Sequence, residues 1–204
     1  MNQRLRVFYC LSLAFLWGVA PMGLCSEANC SVNVVYAAEP DGGSTYIAPF
    51  VPTPQEVVDR MLELAQVSKG DILYDLGSGD GRIVITAARR YGVKAIGFEI
   101  DAALVKHSQR AIMEAGLENL AEIRDQDIRN VDLAPASVVT MYLYPGANLR
   151  LRGEILRQMK AGSRVVSHDF SMGSWVPDKV ERMRDSTGLL RTIYLWQIKG
   201  KNSQ

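Results

Sequence analysis

Three glycines at every second position, Gly77, Gly79 and Gly81, follow a short apolar segment that ends at Leu76. Because glycine has no Cβ, a backbone with this spacing can turn sharply and approach a bound molecule closely. An acidic residue, Asp75, precedes the first glycine by two positions. A carboxylate there disfavours the pyrophosphate that loops of the G-x-G-x-x-G type bind. It favours instead a ligand that carries an ammonium group.

A second carboxylate stands at the end of the next predicted strand. Glu99 lies eighteen residues after Gly81 in the segment Lys94-Ala95-Ile96-Gly97-Phe98-Glu99-Ile100-Asp101. An acid about twenty residues beyond a glycine loop binds ribose hydroxyls in nucleotide-binding folds. We expect Glu99 to accept hydrogen bonds from both hydroxyls of a ribose; the alternative is a solvated strand end.

Carboxylates also follow the third predicted strand, residues 121–124. Asp125 and Asp127 both lie in the loop after this strand, at the sheet edge where ligands bind in open α/β folds. A carboxylate in this loop can accept a hydrogen bond from the exocyclic amine of adenine. We expect Asp127, which lies deeper in the loop, to make that contact. For Asp125 the favoured interpretation is a solvated turn residue.

Alternating strands and helices must position these groups. Helices are predicted over residues 54–65, 83–91, 102–115 and 148–159, and strands over 72–76, 94–101, 121–124, 138–142, 164–167, 180–184 and 190–198. For the first helix, Thr53 is the expected N-cap, Pro54 the first helical residue and Glu56 the partner in a capping box. Strands that alternate with helices predict a mainly parallel sheet with right-handed crossovers, and a terminal hairpin would add one antiparallel strand.

The glycine loop resembles motif I of the class I methyltransferases that depend on S-adenosylmethionine (SAM). SAM carries an ammonium and a sulfonium and has no phosphate, which agrees with the carboxylate before the loop. Further similarity lies in five stretches: residues 75–84, Gly97-Phe98-Glu99, Tyr142-Leu143-Tyr144-Pro145, Arg164-Val165-Val166-Ser167 and Trp175-Val176-Pro177. Together these stretches are similar to the membrane-anchored mitochondrial protein-lysine methyltransferases that modify ATP synthase and the adenine nucleotide translocase, and to their bacterial relatives. The resemblance covers about residues 50–178.

This resemblance implies the fold and the cofactor site. The expected fold is α/β, a Rossmann-like class I methyltransferase with a mainly parallel seven-stranded sheet and an antiparallel closing strand. The expected cofactor is SAM, with the N-terminus of the helix after the glycine loop holding the carboxylate of its methionine moiety. The expected cofactor-binding residues are Thr53, Asp75, Gly77, Ser78, Gly79, Asp80, Gly81, Glu99, Ile100 and Asp127.

The resemblance also implies a lysine side chain of a protein as the methyl acceptor. Tyr142 follows the fourth strand, and His168 and Asp169 follow the fifth, so all three are candidates for holding and deprotonating the amine. Aromatic packing and capping of local backbone are the alternatives for these residues. The chain departs from the animal enzymes here, because His168-Asp169 replaces a basic residue and Asp101-Ala102 replaces an Asn-Pro. A small-molecule or lipid methyltransferase, or a SAM-binding module without catalysis, therefore remain alternatives.

Composition narrows the range of partners. The net charge of +1 argues against nucleic acid as a partner. All three cysteines precede residue 31, and the two histidines are far apart, so no metal site is expected. Methyl transfer from a sulfonium requires neither a metal nor a covalent nucleophile. We expect a monomer that acts on a protein lysine or a small molecule.

The N-terminal residues have the pattern of a targeting segment. Arg4 and Arg6 precede an apolar run from Val7 to Cys25, which is typical of a signal peptide or of an N-terminal membrane anchor. Residues 26–49 have the composition of a linker, and residues 50–204 are predicted to form the methyltransferase domain. These features predict a protein exported to, or anchored in, the cell envelope. A cytoplasmic location is the alternative, because SAM is made in the cytoplasm.

Overall fold

A computed structural model describes residues 50–200, and the expected targeting segment and linker lie outside them. The helices are α1 (Gln55–Leu64), α2 (Arg82–Tyr91), α3 (Ala102–Glu114) and α4 (Pro145–Gln158), with one 3₁₀ turn at Ile128–Asn130. The strands are β1 (Ile72–Leu76), β2 (Lys94–Glu99), β3 (Ala121–Asp125), β4 (Val138–Met141), β5 (Arg164–His168), β6 (Lys179–Arg184) and β7 (Leu190–Gln197). None of the helices in this part of the chain is both long and apolar enough to cross a membrane.

The seven strands form one sheet in the order β3-β2-β1-β4-β5-β7-β6. Strands β1 to β5 pair in parallel, and β7 is antiparallel to both of its neighbours, β5 and β6. The expected Rossmann-like fold with an antiparallel closing strand is thereby confirmed. The chain reverses its direction across the sheet between β1 and β4. Ligands bind at such a switch point, outside the carboxyl ends of the strands.

Apolar side chains cover both faces of the sheet. On one face, Val57 and Met61 of α1 pack in a cluster with Val84 of α2 and Ile112 of α3. On the other face, α4 and the segment after β3 form a second cluster around the fully buried Trp196. A parallel sheet needs such cover on both sides. Its polar groups are therefore presented mainly at the strand ends.

The predicted capping box at the start of α1 is wrong. Pro54, with φ −54° and ψ 143°, is itself the N-cap residue, and no side chain caps the helix. The hydroxyl of Thr53 lies 3.2 Å from Nδ1 of His168 instead. The carboxylate of Glu56 accepts a hydrogen bond from the backbone N–H of Ser186 at 2.6 Å. Both side chains are therefore engaged by distant parts of the chain.

Helix α4 begins three residues earlier than predicted. Pro145 occupies its first turn, and Tyr144 is the N-cap residue. Proline suits this position because its fixed φ matches the helix and its missing N–H would have no partner there. The earlier start places the end of β4 only three residues from the helix, and the short connection Tyr142-Leu143-Tyr144 lies at the carboxyl edge of the sheet.

Candidate active site

The glycine loop connects β1 to α2 in a conformation that requires glycine. Gly77, Gly79 and Gly81 have φ values of 78°, 53° and 78°, in the left-handed region that side chains with a Cβ rarely adopt. The carbonyl of Phe98 on β2 accepts hydrogen bonds from the N–H groups of Gly77 and Ser78, both at 3.0 Å. The loop is thereby fixed against the end of the neighbouring strand.

Two of these glycines also leave no room for a side chain. A Cβ at Gly79 would lie 2.4 Å from the ring of Phe50, and one at Gly77 would lie 2.8 Å from Leu143. Gly81 differs, because it does not line the cavity described below and is the N-cap residue of α2. A Cβ there would lie 2.9 Å from the Cβ of Ser108. Gly81 therefore permits close packing of α2 against α3, and no direct contact with the cofactor is seen for it.

A cavity opens at the carboxyl ends of β1 to β4, at the switch point of the sheet. Ten of the residues predicted for the site line it: Thr53, Asp75, Gly77, Ser78, Gly79, Asp80, Glu99, Ile100, Asp127 and Tyr142. Besides Gly81, the predicted residues His168 and Asp169 do not line it. The carboxylate of Asp169 instead accepts a hydrogen bond from the backbone N–H of Thr192 at 2.8 Å. That contact matches the backbone-capping alternative for this residue.

The sequence did not indicate several residues of the cavity wall. The segment Phe50-Val51-Pro52 lines the cavity, together with Arg82, Ile83, Phe98, Asp101, Leu104, Gln126, Ile128 and Leu143. The apolar members of this set belong to strand ends and helix starts that flank the predicted loops. Asp101, which caps α3 by accepting hydrogen bonds from the N–H groups of Ala103 and Leu104, has the sequence signal of an N-cap. The segment before α1 carries no comparable signal.

The charges of the cavity favour a cationic ligand. Five carboxylates line it, those of Asp75, Asp80, Glu99, Asp101 and Asp127, and the guanidinium of Arg82 is the cation among the described lining residues. Arg82 is paired with Asp80, since its Nε donates to Oδ1 at 2.9 Å and to Oδ2 at 3.0 Å. The remaining carboxylates suit the ammonium and sulfonium of SAM and would repel a phosphate. Within residues 50–200, no group of three or more metal-ligating side chains is arranged to hold a metal ion.

Asp75 is a buried carboxylate without a cation beside it. It is 2% exposed, and its Oδ1 accepts a hydrogen bond from the hydroxyl of Thr140 at 2.7 Å. Burial raises the pKa of Asp75 to about 7, and the carboxylates of Glu99 and Asp80 raise it further, whereas the bond from Thr140 lowers it. An ammonium group beside Asp75 would stabilise its ionised form.

Glu99 holds the end of β2 and the glycine loop together. Its Oε2 accepts a hydrogen bond from the N–H of Gly79 at 2.8 Å, and its Oε1 accepts from the N–H groups of Ile100 and Asp101 at 2.8 and 3.0 Å. A carboxylate has about four acceptor positions. Each oxygen can therefore still accept a hydrogen bond from a ribose hydroxyl.

Asp127 lies at the start of the 3₁₀ turn after β3. Its Oδ1 accepts a hydrogen bond from the backbone N–H of Arg129 at 2.9 Å, and the guanidinium of Arg129 binds its outer oxygen at 2.8 Å. The hydrogen bond from Arg129 lowers the pKa of Asp127. The carboxylate is therefore ionised near neutral pH and can accept a hydrogen bond from an adenine amine. Asp125 is exposed and does not line the cavity.

Residues 50–53 form a strap that lies beside the glycine loop. Arg82, already paired with Asp80, donates a hydrogen bond from NH1 to the carbonyl of Thr53 at 2.7 Å. The ring of Phe50 contacts the loop at Gly79. The strap is therefore held by a residue of the cofactor loop and forms one wall of the cavity.

The carboxyl ends of β4 and β5 contribute an aromatic wall. Tyr142, which lines the cavity, packs on the ring of His168 with centroids 4.0 Å apart, and it stacks with Phe170 at 6.0 Å. His168 is fully buried. Burial lowers the pKa of His168 to about 4, although the carboxylate of Asp169 opposes this shift. The imidazole is therefore neutral at physiological pH.

The residues of the cavity fit SAM. The hydroxyl of Ser78 is buried without a hydrogen-bond partner in the protein, and Asp75 is buried without a counter-charge. Buried polar groups are normally paired, so both groups point to a polar, cationic ligand. The glycine loop, Glu99 and Asp127 stand at the ends of β1, β2 and β3 in the order in which methionine, ribose and adenine would extend along the sheet.

Comparison with known proteins identifies the same residues. The family model for the ANTKMT methyltransferase domain matches residues 75–179. A protein-lysine N-methyltransferase of Saccharolobus islandicus is 43% identical over 151 residues, which are 74% of this chain and 93% of that protein. A human lysine N-methyltransferase, named for a component of ATP synthase, is 31% identical over 132 residues, 65% of this chain and 56% of that protein.

A solved structure is also similar. The crystal structure of a protein from Salinibacter ruber, described as an RNA methyltransferase and bound to S-adenosyl-L-homocysteine, is 50% identical and superposes with a TM-score of 0.69. The similarity covers 74% of this chain and 95% of that one. Its bound product is what SAM becomes after methyl transfer. The chain therefore belongs to the ANTKMT methyltransferase domain family and is a class I methyltransferase that uses SAM.

Proposed function

We propose that this enzyme methylates the side-chain amine of lysine in a protein. The observation that carries this proposal is the aromatic wall of Tyr142, His168 and Phe170, which stands beside a cavity lined by carboxylates. Aromatic faces attract ammonium groups and guide alkyl chains, and the carboxylates attract the same positive charge. The lysine methyltransferases among the relatives support the same acceptor.

The reaction needs little from the protein beyond positioning. SAM supplies a methyl group on a sulfonium, which an amine displaces in line. Asp75 would hold the ammonium, Glu99 the ribose and Asp127 the adenine, and the strap of residues 50–53 would exclude water from one side. Holding two reactants in the correct geometry accounts for a large part of such a rate enhancement.

Lysine must be neutral before it can react. The pKa of Tyr142 is raised, chiefly by burial, so its phenol stays protonated near neutral pH and is not a strong base. An apolar aromatic wall lowers the pKa of an approaching ammonium group by desolvation. The proton then leaves to water as the lysine enters, and the residues predicted to deprotonate it directly have another role, which is argued below.

Two other acceptors compete with lysine. RNA is one, because the Salinibacter protein is described as an RNA methyltransferase, but a cavity lined by five carboxylates disfavours a phosphate backbone. A small molecule or lipid is the other. The full-length chain should be incubated with labelled SAM and fractionated cell material, with protease and ribonuclease arms. Label that is lost with protease and recovered as methyl-lysine after acid hydrolysis supports the proposal. Label lost with ribonuclease, or found only in the lipid extract, contradicts it.

The location of the enzyme follows from its N-terminal segment. We propose that residues 1–25, with Arg4 and Arg6 before an apolar run, direct the enzyme to the cell envelope as a signal peptide or an anchor. Its acceptor would then be a membrane or envelope protein, and the enzyme would act as a monomer. A topology reporter fused after Gln204, combined with fractionation, tests this location. Recovery of all activity in the cytoplasmic fraction would contradict it.

A further inference from the structure

A buried hydrogen-bond pair connects the cavity with the end of β5. Thr53 lines the cavity, is 4% exposed, and places its Oγ1 3.2 Å from Nδ1 of His168. Tyr142 also lines the cavity and packs on the same imidazole at 4.0 Å between ring centroids. The Thr53 hydroxyl and the Tyr142 ring therefore meet at His168, on the acceptor side of the cavity.

The surroundings of His168 decide which ring nitrogen carries the proton. Its Nε2 lies 3.3 Å from Oδ2 of Asp169, without the alignment of a hydrogen bond. The same oxygen lies 3.4 Å from NH1 of Arg191, which also pairs with Asp185 at 2.7 Å. A carboxylate oxygen attracts an N–H and repels a lone pair. The neutral imidazole therefore carries its proton on Nε2 and presents a lone pair at Nδ1.

This tautomer fixes the hydroxyl of Thr53. Because Nδ1 is an acceptor, the hydroxyl must donate its only hydrogen to His168. The lone pairs of Oγ1 remain available to a group in the cavity. Arg82 holds the carbonyl of the same residue at 2.7 Å, so the backbone position of Thr53 is fixed as well. Towards the cavity, Thr53 is therefore a hydrogen-bond acceptor and cannot donate.

We propose that the hydroxyl oxygen of Thr53 accepts a hydrogen bond from an N–H of the acceptor lysine, and that His168 is the positioning residue that enforces this role. The inference rests on the proposed lysine acceptor. A neutral lysine amine has two N–H bonds and one lone pair. When one N–H points to Thr53, the lone pair is directed away from it and can face the methyl group.

The proposal has a consequence for successive transfers. Monomethyl-lysine in its neutral form still has one N–H, but neutral dimethyl-lysine has none. Thr53 therefore assists the first and second methyl transfers and has nothing to bind in the third. A purely structural role of Thr53 would affect all three transfers alike.

The test compares Thr53→Val, which keeps the shape of the side chain, with Thr53→Ser, which keeps the hydroxyl. The full-length variants are assayed with labelled SAM and the cell protein fraction that the wild type labels, and time courses of mono-, di- and trimethyl-lysine give the rate constants. In Thr53→Val, the first two rate constants should fall about tenfold, as expected for one lost hydrogen bond. The third should not change, and Thr53→Ser should recover most of the loss. Calorimetry should show the same affinity for SAM to within about twofold, because Thr53→Val keeps the packing of the side chain.

Two further variants guard against misfolding. Thr86→Val removes another buried threonine hydroxyl, which accepts a hydrogen bond from Gln55 at 3.0 Å and lies outside the cavity lining, and it should leave methylation unchanged. His168→Asn keeps an acceptor near the position of Nδ1 and should retain more of the first-transfer rate than His168→Leu at equal affinity for SAM.

Three results would overturn the inference. Equal weakening of SAM binding and of transfer in Thr53→Val would assign the hydroxyl to the cofactor. Equal slowing of all three transfers would make its role structural. If the wild type bound SAM but formed no methyl-lysine, the proposed function would fail and the inference with it, whereas the first two results leave the lysine acceptor intact.

Discussion

The carboxylate of Glu99 accepts a hydrogen bond from the backbone N–H of Gly79 at 2.8 Å, although the two residues are twenty positions apart. The acid expected to bind the ribose is therefore also the group that holds the glycine loop in place. Its other oxygen binds the N–H groups of Ile100 and Asp101. The shape of the cofactor site and its chemistry consequently depend on the same side chain.

Replacing Glu99 should affect both binding and stability. Glu99→Ala removes the acceptor for two ribose hydroxyls, and SAM affinity should fall on the order of a hundredfold. Three backbone N–H groups lose their partner as well, so the free energy of unfolding should fall by about 2 kcal/mol. Calorimetry and urea unfolding measure the two effects. Glu114→Ala, which removes an exposed ion pair with Arg110, is the control and should change neither; unchanged SAM affinity in Glu99→Ala would refute the ribose contact.

The stability of the protein without cofactor should depend on pH through Asp75. Its pKa is about 7 in the folded protein and 3.8 in the unfolded reference. Below about pH 4 the group is protonated in both states, and as the pH rises to about 7 only the unfolded chain loses the proton. Stability is therefore lost over this range, by up to about 4 kcal/mol at about 1.4 kcal/mol per pKa unit.

Asp75→Asn isolates this effect from other titrating groups. The amide oxygen can keep the hydrogen bond from Thr140, and the side chain no longer ionises. The variant should unfold at higher urea concentration than the wild type at pH 8, and the difference should shrink at pH 5. A difference that stays the same at both pH values would mean that Asp75 is already ionised in the empty protein.

Cofactor binding should release a proton below neutral pH. At pH 6 the side chain of Asp75 is mostly protonated because burial raises its pKa to about 7, and an ammonium beside it favours ionisation. Calorimetry of SAM binding in phosphate and in imidazole buffer should therefore give different apparent enthalpies at pH 6 and similar ones at pH 9. Asp75→Gln and Asp75→Asn should bind weakly without proton release. Equal enthalpies in both buffers at pH 6 would contradict the assigned contact.

The adenine contact can be tested with a matched pair of carboxylates. Asp127 lines the cavity and Asp125 does not, although both follow β3. Asp127→Asn keeps an oxygen for the N–H of Arg129, but an amide is a weaker acceptor than a carboxylate, and SAM affinity should fall about tenfold. Asp125→Asn should stay within about twofold of the wild type, since its side chain is solvated. The opposite ranking would exchange the two assignments.

Phe50 should contribute to cofactor affinity without contributing much to stability. Its ring contacts the glycine loop, but the residue is 46% exposed in the empty protein. Phe50→Ala opens one wall of the cavity, and SAM affinity should fall about tenfold through lost apolar contact. The melting temperature without SAM should change little. Met113→Ala, an exposed apolar residue on α3, is the control for surface effects; an unchanged affinity in Phe50→Ala would remove the strap from the cofactor site.

The cofactor side of the site was predictable because its signals are local. Gly77 and Gly79 have positive φ values that only glycine adopts easily, and Glu99 and Asp127 follow strand ends that the apolar pattern marks. Gly81 has the same backbone conformation but serves the packing of α2 on α3. A spacing pattern cannot separate these two uses of glycine.

The acceptor side was less predictable because its contacts are long-range. The neighbours of Thr53 in the sequence indicate a helix cap, yet its hydroxyl pairs with His168, 115 residues away. The position of His168 and Asp169 at the strand edge was predicted, but their distance from the cavity depends on how Tyr142 and Arg191 pack around them. The strap at Phe50 depends likewise on the hydrogen bond that Arg82 makes to it.

The uncompensated charge of Asp75 links the lifetime of this enzyme to its supply of cofactor. A ligand that binds only the folded state stabilises that state in proportion to the logarithm of its concentration. Empty molecules are the least stable and open most often, and proteases cleave opened chains. Cells short of SAM would therefore degrade the enzyme faster, and those rich in SAM would accumulate it, with no regulator other than the buried carboxylate itself.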